Sequence, residues 1–600
     1  MTYPRWFGCI GNSLRRSAGL NFASAGIAIA WLAVPAILAP LASGQIYNQH
    51  TESNPQDMPT ATVAKEIKGV VKVNVAMDKS TTFMAPRAEA VNASVADGHL
   101  ADPALPLLLR NAGITTLRYP GGGFADNYHW STNKPSNSQL AAALRYSGLA
   151  AGTDFGSFVH LIDQVGTTVI TVNYGSNQDG TGGGEPAEAA AWVAYANGDP
   201  NATTVIGKDS TGTDWQTVGY WASLRAAQPL PTDDGKNFLR IAHPQPLNVK
   251  YWEVGNEVYK NGYYGGEGET LDLHAPYPKD PKDNDKQRRK NPNLSPAAYG
   301  KELLAYVKAM KAADPRIKVG ASLDSPVANT WDIQEWTQDP VTGKYVQNSK
   351  FQKAQDSGPD WDRNVLQVAG KDIDFVALHW NTGKTTDVSN FKDLDNAALL
   401  TSPHDELPPI FGGLVDMFHK YCPQNTGMQV LVTDIGPKSY IKVPDQSVIA
   451  LFAADAYLTL VETGVANIDW SALHGGLIDD KNQLSPSYFG LQMIRQFMTY
   501  NEPLATVTSS HSLLGAHAAV HKNGSMSLML INKDPKNAAN VKVQIDGGKL
   551  AGPGMRFNYG KGAPAPDKVV AGTQIADVGN SFTVTVPPYT ITDLLIPPAK

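Results

Sequence analysis

The sequence predicts an α/β fold: a (β/α)8 barrel of the TIM type followed by a C-terminal antiparallel β-sandwich. Three observations carry this reading. Eight short β-like runs occupy residues 88–94, 116–120, 168–174, 249–256, 318–323, 375–380, 429–434 and 467–474, each ending in or near a turn-forming, polar or aromatic residue. Helix-like stretches separate them, and repeated strand–helix alternation implies parallel strands joined by crossover helices. From about Thr506 the pattern changes to short β-rich runs with turn residues between them and no long amphipathic helix, which reads as a sandwich.

Eight units over about 390 residues suit a closed barrel with insertions. The alternative, an open doubly wound sheet, calls for a glycine-rich dinucleotide turn. Gly121-Gly122-Gly123 follows a proline at a strand end and lacks the later spaced glycine, so it is a weak phosphate loop. Among the connecting helices, residues 186–196 are alanine-rich. Ser295 is an N-cap with Pro296 at the first helical position, opening a helix that runs to about Ala313 and is stopped by Asp314-Pro315. Residues 447–462 form an apolar-rich helix with Gly464 close behind. In the last segment, residues 516–521, 525–532, 541–545 and 581–587 read as strands, and residues 70–77, ahead of the barrel, are expected to pair with them. The domain boundaries that follow are 1–44 for an export segment, 45–84 for an N-terminal segment lending a strand to the sandwich, 85–500 for the barrel and 501–600 for the sandwich.

Composition excludes several classes. The chain has 600 residues, 42% hydrophobic, 9% aromatic and 18% charged, with a formal charge of −6. A pI near 6.1 is not that of a nucleic-acid binder, whose domain would be strongly basic. A mean hydropathy of −0.26 excludes a polytopic membrane protein. Two cysteines exclude a disulfide scaffold. At the N-terminus, Arg15 and Arg16 precede an apolar run over residues 23–42 that ends in Ala42-Ser43-Gly44 before Gln45. Basic, apolar and small-residue regions in that order read as a signal peptide, and the paired arginines leave a twin-arginine route open. The expected localisation is therefore secreted or periplasmic. An uncleaved membrane anchor is the alternative, because about 20 apolar residues can span a bilayer. Cleavage removes three arginines and no acidic residue, taking the formal charge from −6 to −9. It also removes Cys9, leaving Cys422, which reads as a small buried hydrophobe. Nothing in the sequence fixes the oligomeric state.

The chemistry sits at the strand ends, as a barrel requires. The strongest signal is the run 250–257, which closes on Gly255-Asn256-Glu257. Neighbouring side chains on a regular strand point to opposite faces, so Asn256 and Glu257 reach one pocket only if the strand end bends, and Gly255 permits that. A carboxyl beside an amide suits acid/base chemistry on a sugar: the amide holds a hydroxyl while the carboxyl protonates the leaving oxygen. His379 and Trp380 end the sixth run, and Trp470 and His474 bracket the end of the eighth. The two tryptophans divide evenly between sugar stacking and core packing, and His379 between orienting the seventh-strand carboxylate and a structural role. Arg118 reads more as a residue orienting carboxylates than as a direct ligand of substrate. Asn173 and Tyr174 are rim candidates, and Tyr259, Tyr263 and Tyr264 offer an aromatic wall. The insertions at residues 203–243 and 279–292 read as solvated surface, with the stretch after Glu257 forming part of a cleft rim. There is no Cys/His zinc spacing, serine elbow or Walker loop, so neither a metal nor a cofactor is expected.

The run Trp252-Glu253-Val254-Gly255-Asn256-Glu257 resembles the acid/base strand of the α-L-arabinofuranosidases of glycoside hydrolase family 51 and their barrel relatives. Leu117-Arg118-Tyr119-Pro120-Gly121-Gly122 with Tyr128-His129-Trp130 resembles their second-strand segment. Asn173-Tyr174-Gly175 with Glu185-Pro186-Ala187-Glu188 resembles the third strand and its helix. The resemblance runs from about residue 85 to the C-terminus. It implies hydrolysis of a glycan outside the cell, no metal, Glu257 as acid/base and Asn256 on the sugar 2-hydroxyl. It also implies a nucleophilic Glu at the end of the seventh strand, in a Val-Thr-Glu setting. This sequence reads Val432-Thr433-Asp434 there. Asp is one methylene shorter, which retracts the carboxylate by about 1.5 Å on a fixed backbone. Retaining enzymes hold their carboxyls about 5–5.5 Å apart and inverting ones about 6.5–9.5 Å. Asp434 is thus a nucleophile on a shifted backbone, a base that activates water, or the mark of a weakened site kept for carbohydrate binding. Other specificities on the same barrel, such as endoglucanase, xylanase or glucuronidase, stay open because fold does not fix the sugar.

Overall fold

The computed structural model describes residues 66–136, 148–265, 270–278, 283–324, 336–338, 345–347, 358–382, 396–437, 447–562, 568 and 572–599. Residues 1–44, expected to direct export, lie outside them, Cys9 included. Among the described residues no helix is long and apolar enough to cross a membrane.

The eight predicted runs all form strands: Glu89–Asn92, Thr116–Tyr119, Thr167–Val172, Tyr251–Val254, Lys318–Ser322, Phe375–Thr382, Gln429–Pro437 and Asn467–Trp470. They pair in parallel, in chain order, and the eighth closes on the first through Ile468 and Glu89. The helices between them include Leu105–Ala112, Phe155–Val165, Pro186–Asn197, Pro296–Ala313, Gly358–Ala369, Asn396–Tyr421 and Ser447–Glu462. Local chemistry sets their ends. Ser295 Oγ accepts from the Ala298 amide at 3.2 Å, satisfying one of the donors a helix start leaves open, and Pro296 has no amide to satisfy. Asp154 does the same for Ser157 at 2.9 Å.

The barrel interior is layered by the period-two alternation of its strands. Its floor is apolar, made by Val169, Tyr251, Phe375, Ala377, Leu431 and Ala466. Gly320 makes room there, since a Cβ would meet the Phe375 ring at 2.2 Å. Two residues further along the strands the inward positions turn polar. Arg118 Nε donates to Glu253 Oε2 at 2.7 Å, Thr171 donates to the same oxygen at 2.8 Å, and Thr433 donates to Glu253 Oε1 at 3.1 Å. This buried layer carries the strand ends above it.

The sandwich is one nine-stranded sheet folded over a core that holds Val73, Leu528, Val543, Val584 and Leu594. Its strands Ala539–Asp546 and Ser581–Val586 alternate strictly between buried and exposed residues, the pattern of a sheet with one wet face. The strand Val70–Phe83 joins it, as the sequence suggested. It lies antiparallel to Pro503–Ser509 but parallel to Ala539–Asp546, so the sheet is not wholly antiparallel.

A charge network centred on buried Asp455 ties barrel to sandwich. Asp455, on the helix Ser447–Glu462, lies 2.7 Å from Lys533 Nζ, 3.1 Å from His517 Nε2 and 3.0 Å from His404 Nε2. Glu462 Oε1 holds the other face of His517 at 2.7 Å. Cys422 is buried, and burial pushes its thiol up to about 11, consistent with a packing role.

The two insertions are less solvated than composition suggested. The first carries the helix Val218–Ala226, whose Arg225 is buried and donates to the carbonyls of Ala196, Gly198 and Tyr195. In the second, Arg288 is buried and donates to the carbonyls of Asn261, Asp272 and Ala275, pinning the loop that follows the fourth strand.

Candidate active site

The fourth strand ends at Val254 and the chain then turns sharply. Gly255 has φ +74, and a Cβ there would meet Val258 at 2.5 Å and Tyr174 at 2.9 Å. Glu257 follows in the left-handed region at φ 48, ψ 40, a conformation a non-glycine residue rarely adopts. Asp126 holds this turn from behind. Its carboxylate accepts from the Asn256 amide at 2.9 Å and from the Tyr174 and Gly175 amides at 3.1 and 3.2 Å. Burial pushes the Asp126 carboxyl up to about 7, against those three donors.

The bend brings both predicted side chains to one place. Asn256 is buried and accepts from Arg118 Nη2 at 2.9 Å. Glu257 is partly exposed, at 22%, and its Oε1 gathers three neighbours: Lys260 Nζ at 3.0 Å, His379 Nδ1 at 3.1 Å and the Tyr259 hydroxyl at 3.2 Å. Burial works against the charged form, but Lys260 and His379 outweigh it and hold this carboxyl well below the usual carboxylate range.

A different device delivers Asp434. The sixth and seventh strands pair Leu378 with Val432 but His379 with Asp434, so Thr433 is an extra residue, a β-bulge. The bulge lets two consecutive side chains face inward: Thr433 bonds Glu253 in the buried layer, and Asp434 stands above it. Asp434 Oδ2 accepts from Asn92 Nδ2 and Oδ1 from Asn381 Nδ2, both at 3.2 Å. Burial, and the nearby charge of Glu257, push its carboxyl up, against the pull of His379 and Arg118. Glu257 and Asp434 thus lie in each other's field at the C-terminal end of the barrel, each partly exposed.

Several sequence candidates lie elsewhere. Trp380 and Trp470 are 3% and 2% exposed and pack on Phe452, with ring centroids 5.7 and 6.3 Å away. Alternation explains the first: His379 points inward, so Trp380 points out onto the helix Ser447–Glu462. Both take the packing role, not the stacking one. Tyr174 is buried against His274 and Tyr299, with centroids 4.4 and 5.0 Å away, and is no rim residue. The Asn173 side chain is spent on the backbone, accepting from the Ser176 amide of its own loop at 2.9 Å and donating to the carbonyl of Tyr128. Arg118 is fully buried and touches Glu253, Asn92 and Asn256, so it orients the site from below. Tyr263 and Tyr264 form an edge-on pair 4.9 Å apart beneath Lys290. His474 pairs with Asp97 at 2.6 Å.

Sequence reasoning missed Asn92, Asn381, Lys260 and Asp126. Two of these had a signal: Asn381 lies two residues beyond His379 and so shares its face, and Lys260 lies one turn beyond Glu257.

No family model matches the chain. A probable α-L-arabinofuranosidase C of Aspergillus fumigatus is 30% identical over 178 residues, 27% of this chain and 28% of the relative. The α-L-arabinofuranosidase C of Emericella nidulans is 29% identical over the same length, again 28% of that protein. The sequence match therefore covers under a third of either relative. In structure, the family 51 α-L-arabinofuranosidase of Thermotoga petrophila superposes with a TM-score of 0.60 at 18% identity, covering 88% of this chain and 99% of that one. A family 44 xyloglucanase of Paenibacillus polymyxa gives 0.54 at 17% identity, covering 88% and 100%. The sequence similarity is local, and the structural similarity is one of fold, shared with arabinofuranosidases and a xyloglucanase alike.

Proposed function

We propose that this chain is a glycoside hydrolase, and that it acts on α-L-arabinofuranosyl bonds of a polysaccharide or oligosaccharide with Glu257 and Asp434 as its reacting pair. The observation that carries the reading is the placement of two partly exposed carboxyls at the ends of the fourth and seventh barrel strands, each built in by its own backbone device. Glu257 is the acid/base and Asp434 the nucleophile. Asn256, fixed by Arg118, is the amide that meets the sugar 2-hydroxyl. The named arabinofuranosidase relatives support the sugar; no cofactor enters the reading.

Two amides at 3.2 Å grip Asp434, one on each oxygen. An aspartate held this way is a positioned group, which favours a working site over one retained for binding alone. A second specificity has its own support, because family 44 glucanases share the fold over 88% of the chain. Hydrolysis assays with aryl α-L-arabinofuranosides, xyloglucan and carboxymethylcellulose separate the two. Turnover of the arabinofuranoside, with Glu257→Gln losing activity on an unactivated arabinoside, supports the first reading. Turnover of a glucan alone replaces it with the second, and oligosaccharide binding without any turnover leaves a lectin-like protein.

We further propose export directed by residues 1–44. N-terminal sequencing of the protein recovered outside the cytoplasm should begin at Gln45; a chain that keeps residue 1 and sediments with membranes is anchored instead.

A further inference from the structure

Glu257 has an unusual neighbour for a proton donor. The chain after it forms a single tight turn, Val258–Lys260, closed by the Lys260 amide on the Glu257 carbonyl at 2.8 Å. That turn swings the Lys260 ammonium back to 3.0 Å from Glu257 Oε1, with the two side chains 21% and 22% exposed. Among the described residues, the other groups facing this carboxyl are Tyr259 on the same turn, His379 from the sixth strand and Asp434 from the seventh. The charges of Asp324 and Asp362 act on Tyr259, and beneath the site Arg118 is engaged by Glu253 and Asn256. Lys260 is thus a permanently charged group in direct contact with Glu257, beside His379. A cation at hydrogen-bond distance favours the ionised carboxylate, whereas protonating a leaving oxygen needs the neutral acid.

We propose that Lys260 is a positioning residue that holds Glu257 as a carboxylate in the empty cleft, and that the incoming glycosidic oxygen displaces its ammonium from Oε1. This rests on Glu257 being the acid/base. As the ammonium withdraws, Glu257 takes up one hydronium proton from bulk solvent. The Asp434 carboxylate forms a bond to the anomeric carbon as the glycosidic C–O bond breaks, the electron pair passing to the leaving oxygen, which receives the Glu257 proton. Glu257, now a carboxylate, takes a proton from the water that displaces Asp434 from the sugar, releases it to solvent, and Lys260 returns to it. Protonation of the acid is thereby tied to occupancy of the cleft.

The test uses the property that kcat/KM reports ionisations of the free enzyme and kcat those of the bound complex. In Lys260→Met the limb of kcat/KM that Glu257 sets, the acid limb because Glu257 is the lower-titrating of the two carboxyls, should move up by one pH unit or more, because the free carboxyl has lost its cation. The limb that Glu257 sets in kcat should stay in place, because the ammonium has already left the bound complex. Lys260→Arg should keep the wild-type profile. A Lys260→Met variant whose two limbs move together, or whose limbs do not move, overturns the proposal; a merely structural lysine lowers rates without separating the limbs. A second readout needs no turnover: 13C NMR titration of the glutamate carboxyls, with Glu257 assigned by its loss in Glu257→Gln. Its midpoint should rise in Lys260→Met, and an unchanged midpoint overturns the electrostatic hold. If no glycoside is hydrolysed at all, the functional reading fails while this titration still decides the role of Lys260.

Discussion

His379 is the cross-strand partner of Asp434 and at the same time lies 3.1 Å from Glu257 Oε1. One side chain therefore stands between the two carboxyls and favours the ionised form of both. Replacing His379 with Ala should let both carboxyls titrate at higher pH. The bell-shaped profile of kcat/KM should shift toward alkaline pH on both limbs, with the rate at its optimum reduced about 10- to 100-fold through lost positioning. The measurement is the pH dependence of aryl glycoside hydrolysis; a profile that keeps both limbs removes His379 from the site.

The two amides on Asp434 imply a site fitted to the shorter acid. Asp434→Glu pushes the carboxylate about 1.5 Å further out and off Asn92 and Asn381, so activity should fall by at least tenfold. Asn381→Ala should cost less, since Asn92 still holds the other oxygen. A gain of activity in Asp434→Glu would instead mark a site that has drifted from a longer acid.

Arg118 and Glu253 form a buried ion pair at 2.7 Å beneath the site, both almost fully excluded from solvent. Removing one partner strands a charge, so Arg118→Met should destabilise the fold by about 3–5 kcal/mol, read from urea denaturation. It should also lower activity in molecules that remain folded, because Asn256 loses its anchor.

The network at the barrel–sandwich junction sets a pH dependence. Asp455 and Glu462 raise His517 to about 9, against the opposing effect of burial. A raised histidine gives stability that is full below its unfolded value near 6.5 and lost as pH rises through about 9. The urea midpoint should fall across that window, and His517→Asn should flatten the fall. A wild-type midpoint constant from pH 6 to 9.5 contradicts this linkage.

The barrel was readable because each of its strands is a short apolar run closed by a turn or polar residue, a pattern set locally. Glu257 was readable for the same reason, since Gly255 announces the bend that a strand end needs in order to present two neighbours together. The position of Asp434 was readable but its setting was not. The bulge at Thr433 exists only in the pairing of the seventh strand with the sixth, and no single strand records it. Trp380 and Trp470 were ambiguous because an aromatic at a strand end suits either face; His379 decides for Trp380, since adjacent residues cannot both point inward on a regular strand. Arg288 and Arg225 read as surface because charge usually does, yet each is buried by loop carbonyls distant in sequence. Asn92 and Asp126 gave no pattern at all, because their partners come from other strands.

The central claim is that Glu257 and Asp434 react as a pair with different tasks, and the dependence of rate on the leaving group tests it most directly. An acid matters only when the leaving oxygen is poor, whereas the group at the anomeric carbon matters always. Glu257→Gln should keep kcat/KM for a dinitrophenyl α-L-arabinofuranoside within about tenfold of wild type but lose about 10²–10⁴-fold in kcat/KM on an unactivated arabinoside, and Asp434→Asn should lose activity on both. A folded Asp434→Asn protein that hydrolyses either substrate at the wild-type rate contradicts the account.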